Sequence, residues 1–218
     1  MRLLRLPALT LSLGLLTAVL AGAAESAGVD GVTALARLMD GNRRYVAATV
    51  SSGKPVAAQR AALATGQHPF AIVVACADSR VAPEIVFDQS LGDLFVIRTA
   101  GNLVDDYALG SIEYAVGHLG TRLVVVLGHE RCGAVDAAVK GGDAHGHVRA
   151  LLDAIAPAVA RSRQAGGDPL DAAVVENARA VAQKIRDSKP ALAEVAHADV
   201  KIVAARYDLD TGVVTLIP

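Results

Sequence analysis

The sequence predicts an α/β protein: a central, mainly parallel β-sheet flanked by helices, with an N-terminal helical arm and a C-terminal hairpin. Three branched apolar runs, AIVVA at 71–75, LFVIR at 94–98 and LVVVLG at 123–128, each have the length of a buried strand. Helical patterns separate them, which is the βαβ rhythm of a parallel sheet. At the end of the chain, KIVAARYDL and VVTLI flank an Asp210-Thr211-Gly212 turn and read as a β-hairpin.

The first 24 residues have the pattern of an export signal. Arg2 and Arg5 precede an apolar stretch from about Ala8 to Leu20, and small residues follow in LAGAAESA. Cleavage is expected after Ala23 or Ala24. An uncleaved anchor is the competing reading, but Thr10, Ser12, Gly14 and Thr17 interrupt a stretch already shorter than the ~20 residues of a spanning helix. Residues 25–218 then suit a single domain, placed by the signal outside the inner membrane, in the periplasm of a Gram-negative cell. A helix is expected from Asp30, its cap, through ALARLMDGNRRYVAATV, with Leu35, Leu38 and Tyr45 on its apolar side and Gly41 as a weak point. A short helix follows in PVAAQRAALA, with Pro55 in its first turn. DDYALGSIEYAVGHLG joins the second and third strands. HVRALLDAIAPAVARSRQ and PLDAAVVENARAVAQKIRDS are long amphipathic helices, the second capped by Asp168 ahead of Pro169.

Removing Arg2 and Arg5 from the 21 basic residues leaves 19 against 22 acidic ones, a net charge of about −3. Such a chain offers no evident attraction to nucleic acid or to an anionic membrane once the signal is gone. Aromatic residues make up only 3%, with no tryptophan, so an aromatic near candidate chemistry is noticeable.

The chemistry-bearing residues fall in two short clusters: Cys76, Asp78 and Arg80 in CADSR, and His129 and Cys132 in GHERCG. Cys76 ends the first strand and His129 follows the third. At the carboxyl edge of a parallel sheet both clusters face the crevice where ligands bind. Gly128 and Gly133 are read as permitting close backbone approach around the His-x-x-Cys turn. A helix opening at Cys132 would favour its thiolate. Two thiolates and one imidazole leave tetrahedral zinc one ligand short, which is the mark of a catalytic site. A disulfide between the only two cysteines is the ordinary alternative in an exported chain. It requires neither a His three residues before one cysteine nor an Asp-x-Arg pair after the other. His118 and His197 read as structural, and His68, His145 and His147 as loop residues.

CADSRVAPEIVF followed by GHERCGAV resembles the β class of carbonic anhydrases. The likeness extends through GDLFVIRTAGN, GSIEYAV, DGNRRYVA and YDLDTG, nearly the whole of residues 25–218. It implies one Zn2+ per chain held by Cys76, His129 and Cys132. Zinc-bound hydroxide would then carry out the reversible hydration of CO2 to bicarbonate and a proton, the metal lowering the pKa of water from 15.7 to ~7. Asp78 would orient the hydroxide or compete as fourth ligand, and Arg80 would hold it off the metal. Gln67 matches a glutamine that lines the site from the neighbouring subunit. Phe95 and Tyr114 match an aromatic pair bordering a dry CO2 pocket, and Ala100 falls where Val is common. A homodimer or larger assembly, with sites between subunits, is also implied.

Two departures stand out. Val73 occupies the place of a tryptophan found in members with a second, inhibitory bicarbonate pocket, and Arg98 matches that pocket's arginine without being particular to it. An always-open site near neutral pH is therefore expected. Glu130 and Arg131 stand between the ligands where small residues are frequent, which implies a change at the rim. Hydrolysis of CS2 or COS by the same site, or a non-enzymatic zinc-storing or thiol-redox role, are the alternatives to CO2 hydration.

Overall fold

The computed structural model describes residues 28–50, 56–141, 143–164, 166–188 and 200–218. The export signal, Pro55 and His197 lie outside the described residues. Helix α1 (Gly31–Val46) opens on Asp30, whose carboxylate accepts hydrogen bonds from the Val32 and Thr33 N–H groups. It ends four residues before the sequence pattern suggested, because Ala48 turns into the left-handed region at φ 53° and the Ala47 N–H bonds back to Arg43 and Tyr45. Gly41 is required rather than weak: a Cβ there would collide with the Phe87 carbonyl.

Helix α2 (Val56–Leu63) leads to β1 (Ala71–Cys76), and a single turn, α3 (Pro83–Val86), follows it. Strand β2 (Leu94–Thr99) runs into a 3-10 turn at Ala100–Asn102 and then α4 (Asp106–Gly117). After β3 (Leu123–His129) come α5 (Gly133–Lys140), α6 (Val148–Ser162) and α7 (Pro169–Asp187). Strands β4 (Lys201–Tyr207) and β5 (Val214–Ile217) close the chain. The sheet order is β2-β1-β3-β4-β5, with only β5 antiparallel.

Strand alternation divides the core. Val73, Ala75, Val125 and Leu127 pack on the side of α1, with Leu38, Val86 and Phe87. Ile72, Val74, Val124 and Val126 face α4 and α7, against Ile112, Val116, Val181 and Ile185. Successive side chains of a strand point to opposite faces, so a sheet covered on both sides must be apolar at every position. That is why β1 and β3 read as continuous apolar runs and are buried throughout. At Gly128 an added Cβ would lie 3.2 Å from a Val174 methyl and 3.3 Å from that of Ala178, so this glycine lets α7 press on β3. Gly133 differs from expectation: a Cβ there would meet nothing within 4 Å.

From β1 the chain moves outward to β2, then crosses back to β3 on the other flank of β1. The crevice between the carboxyl ends of β1 and β3 is thus a topological switch point, where loops leave in opposite directions and make room for a ligand.

Candidate metal centre

Cys76 is the last residue of β1, His129 the last of β3, and Cys132 the N-cap of α5. Their donor atoms lie within 4.8 Å of one another, all three residues buried. A third apolar cluster, with Val135, Ile155, Val159 and Val174, packs around the two cysteines and keeps water from them.

The His129 ring is fixed by its neighbour. Its Nδ1 is 2.8 Å from the Glu130 carbonyl oxygen, so Nδ1–H donates there and Nε2 carries the lone pair. Nε2 has no hydrogen-bond partner although the residue is 0% exposed. Leaving a buried polar atom unpaired costs about 1–3 kcal/mol, and a metal ion would satisfy it.

The sulfur atoms are 3.9 Å apart and both cysteines are free. Two 2.3 Å zinc–sulfur bonds at a tetrahedral angle set the sulfurs at ~3.8 Å, whereas a disulfide needs ~2.05 Å. The residues present therefore fit zinc.

The two thiols titrate as a pair. Donation from Cys132 favours a thiolate at Cys76. That thiolate, together with burial, raises the pKa of Cys132 and keeps the second proton there. A cation is what would release the second proton. The Gly101 N–H, 3.3 Å from Cys76 Sγ, supports the thiolate from the 3-10 turn, which Gly101 enters with φ 70°.

Asp78 and Arg80 form a fork. Arg80 Nε donates to Asp78 Oδ1 at 2.9 Å and Nη2 to Oδ2 at 2.7 Å, while the Arg80 N–H caps Oδ1 at 2.9 Å. These bonds hold the Asp78 carboxyl well below the usual carboxylate range. Asp78 Oδ2 remains 3.8 Å from His129 Nε2, beside the ligand cluster. Arg98 performs a task that the sequence did not disclose: its Nε donates to the Cys76 carbonyl at 3.0 Å and its Nη2 to that of Asp78 at 2.6 Å.

Ala100 opens the 3-10 turn next to Gly101, close to Cys76. Phe95 on β2 and Tyr114 on α4 bring their rings to 6.4 Å, and Tyr114 is exposed. Gln67 lies elsewhere, in a groove of about 440 Å3 with Leu63, Leu91 and Leu94. A cavity of about 830 Å3 between α4, α6 and α7 holds none of these residues.

A mainly parallel α/β sheet with a Cys-His-Cys donor set at its switch point fits a zinc metalloprotein whose donors come from two strand ends and the N-cap of the following helix. The carbonic anhydrase family model matches residues 71–214. Carbonic anhydrase 2 of Mycobacterium tuberculosis is 42% identical over 186 residues, covering 83% of this chain and 90% of that protein. A carbonic anhydrase of Mycolicibacterium smegmatis is 40% identical over 190 residues, covering 85% and 92%. Among solved structures, a Coccomyxa β-carbonic anhydrase in complex with acetazolamide is 26% identical with TM-score 0.66, covering 84% of this chain and 86% of that one. The β-carbonic anhydrase CafA of Aspergillus fumigatus is 25% identical with TM-score 0.65, covering 85% and 89%. The chain belongs to the carbonic anhydrase family, in its β class.

Proposed function

We propose that this enzyme catalyses the zinc-dependent, reversible hydration of CO2 to bicarbonate and a proton, with Cys76, His129 and Cys132 holding the metal. The observation that carries this is the unpaired, fully buried Nε2 of His129 facing two thiols, with a carboxylate 3.8 Å away. When bound, zinc supplies a Lewis acid that makes water nucleophilic near neutral pH.

The chain's own residues do the rest. Asp78 accepts a hydrogen bond from the attacking water and fixes its lone pair toward the CO2 carbon. Arg80 keeps both Asp78 oxygens occupied by charge-assisted bonds, so the carboxylate orients water and does not displace it. Arg98 pins the two backbone carbonyls on either side of Ala77 and so fixes the approach of Asp78 to Cys76. Phe95, Tyr114 and Ala100 are proposed to border the dry pocket that admits CO2. Gln67 stands in its own groove and is proposed to serve the site of a second subunit, which a homodimer or larger assembly would provide. We place the enzyme outside the inner membrane on the strength of residues 1–24.

Arg80→Ala tests the gate. It is expected to lower activity at least tenfold, about 1.4 kcal/mol in the barrier, with Asp78 on zinc in the variant's crystal structure. Full activity with Asp78 still off the metal refutes the role. Stopped-flow rates of the wild-type enzyme on CO2, CS2 and COS decide which substrate is preferred.

A further inference from the structure

The two residues between the ligands, Glu130 and Arg131, both reach the same place. Arg131 lays a two-pronged contact on Asp210 in the β4–β5 turn, Nη1 to Oδ2 at 2.9 Å and Nη2 to Oδ1 at 2.7 Å. Glu130 accepts from Arg206 Nη2 at 2.6 Å and from the Leu209 N–H at 3.0 Å. Arg206 in turn binds Asp171 of α7 at 2.6 Å. The ligand turn is therefore sewn to the hairpin on both sides.

Arg131 is also backbone-strained. Its φ is 49°, in the left-handed region that a residue with a Cβ occupies only where its surroundings enforce it. This conformation turns the chain from His129 toward α5. It also presents the Arg131 carbonyl to Arg80 Nη2 at 3.2 Å, the same nitrogen that holds Asp78 Oδ2. The Asp210 contact anchors the side chain of the residue whose backbone supports Arg80.

We infer that Asp210 is a positioning residue for the reaction: by clasping Arg131 it sets the carbonyl that seats Arg80 on Asp78. An exposed ion pair contributes little to stability, since solvent and salt screen it. The bidentate fork fixes direction, however, and a small displacement at a reacting centre is amplified in rate. The inference rests on the Asp78–Arg80 reading proposed above.

The test is a double-mutant cycle on the zinc-loaded enzyme by stopped-flow CO2 hydration, with solvent exchange of the Arg80 Nε–H in the zinc-free chain as a readout independent of activity. Asp210→Asn is expected to lower kcat/KM by about three- to tenfold, the scale of coupling between neighbours in one network, and Asp210→Glu to restore most of it. The same substitution adds no loss in an Arg80→Ala background, and it speeds Arg80 Nε–H exchange. Unchanged exchange overturns the clasp. Faster exchange with no kinetic loss, or with equal loss in both backgrounds, overturns its action through Arg80. Full activity of Arg80→Ala alone would sink the gate instead, while the exchange rate still decides whether Asp210 seats Arg80.

Discussion

His129 meets two demands on one ring, donating an Nδ1–H hydrogen bond to the Glu130 carbonyl and leaving Nε2 free to bind a metal ion. The pattern His-x-x-Cys marked His129 as a candidate donor in the sequence, whereas its orienting partner is a backbone carbonyl and has no residue signature. The same holds for Arg98, whose partners are the carbonyls of Cys76 and Asp78. Asp78 and Arg80 were readable as a pair because two residues of spacing after a strand bring them together. Their fork has a pH consequence in the zinc-free chain. A carboxyl whose pKa is lowered by folding contributes stability that is complete above its unfolded value and is lost as pH falls through its folded value. The stability gap between wild type and Asp78→Asn, measured by urea unfolding, should be full at about pH 6 and narrow below about pH 3.9. A gap that widens in acid would reverse the assigned sign.

At the scale of elements, the long helices and the buried strands were legible from periodicity, and Asp30 and Asp168 cap as expected. Pro157 lies inside α6 without ending it. The single turn α3 and the 3-10 turn were not legible, because three or four residues are too few to show a period. Strand order was also hidden: it depends on which apolar faces meet, and β1 and β3 are both apolar runs buried throughout. Asn42 illustrates a tertiary tie invisible to pattern. Buried on α1, its Nδ2 donates to the Val86 and Gly212 carbonyls and its Oδ1 accepts from the Val214 N–H. It thus anchors the hairpin that carries Asp210. Asn42→Ala would strand three buried backbone groups, and a loss of roughly 3 kcal/mol in unfolding free energy is expected. A change under about 0.5 kcal/mol, as at an ordinary surface position, would contradict that tie.

For the whole molecule, β2 is an edge strand whose residues are only partly covered, in contrast to β1 beside it. With Leu91 and Tyr114 exposed nearby, this flank is suited to a second copy, which the proposed role of Gln67 requires. Sedimentation of residues 25–218 should therefore give a dimer or larger species, and a monomer with full activity would remove Gln67 from the mechanism. Among the described residues no helix is long and apolar enough to cross a membrane. In the proposed function, three buried donors at one switch point make a zinc site that hydrates CO2. The decisive measurement is a titration of zinc into the metal-free chain while CO2 hydration is followed by stopped flow. Activity should rise linearly and stop at one zinc per chain, with kcat/KM on the order of 10⁴–10⁸ M⁻¹s⁻¹. Stoichiometric zinc binding without hydration, or hydration independent of zinc, would contradict it.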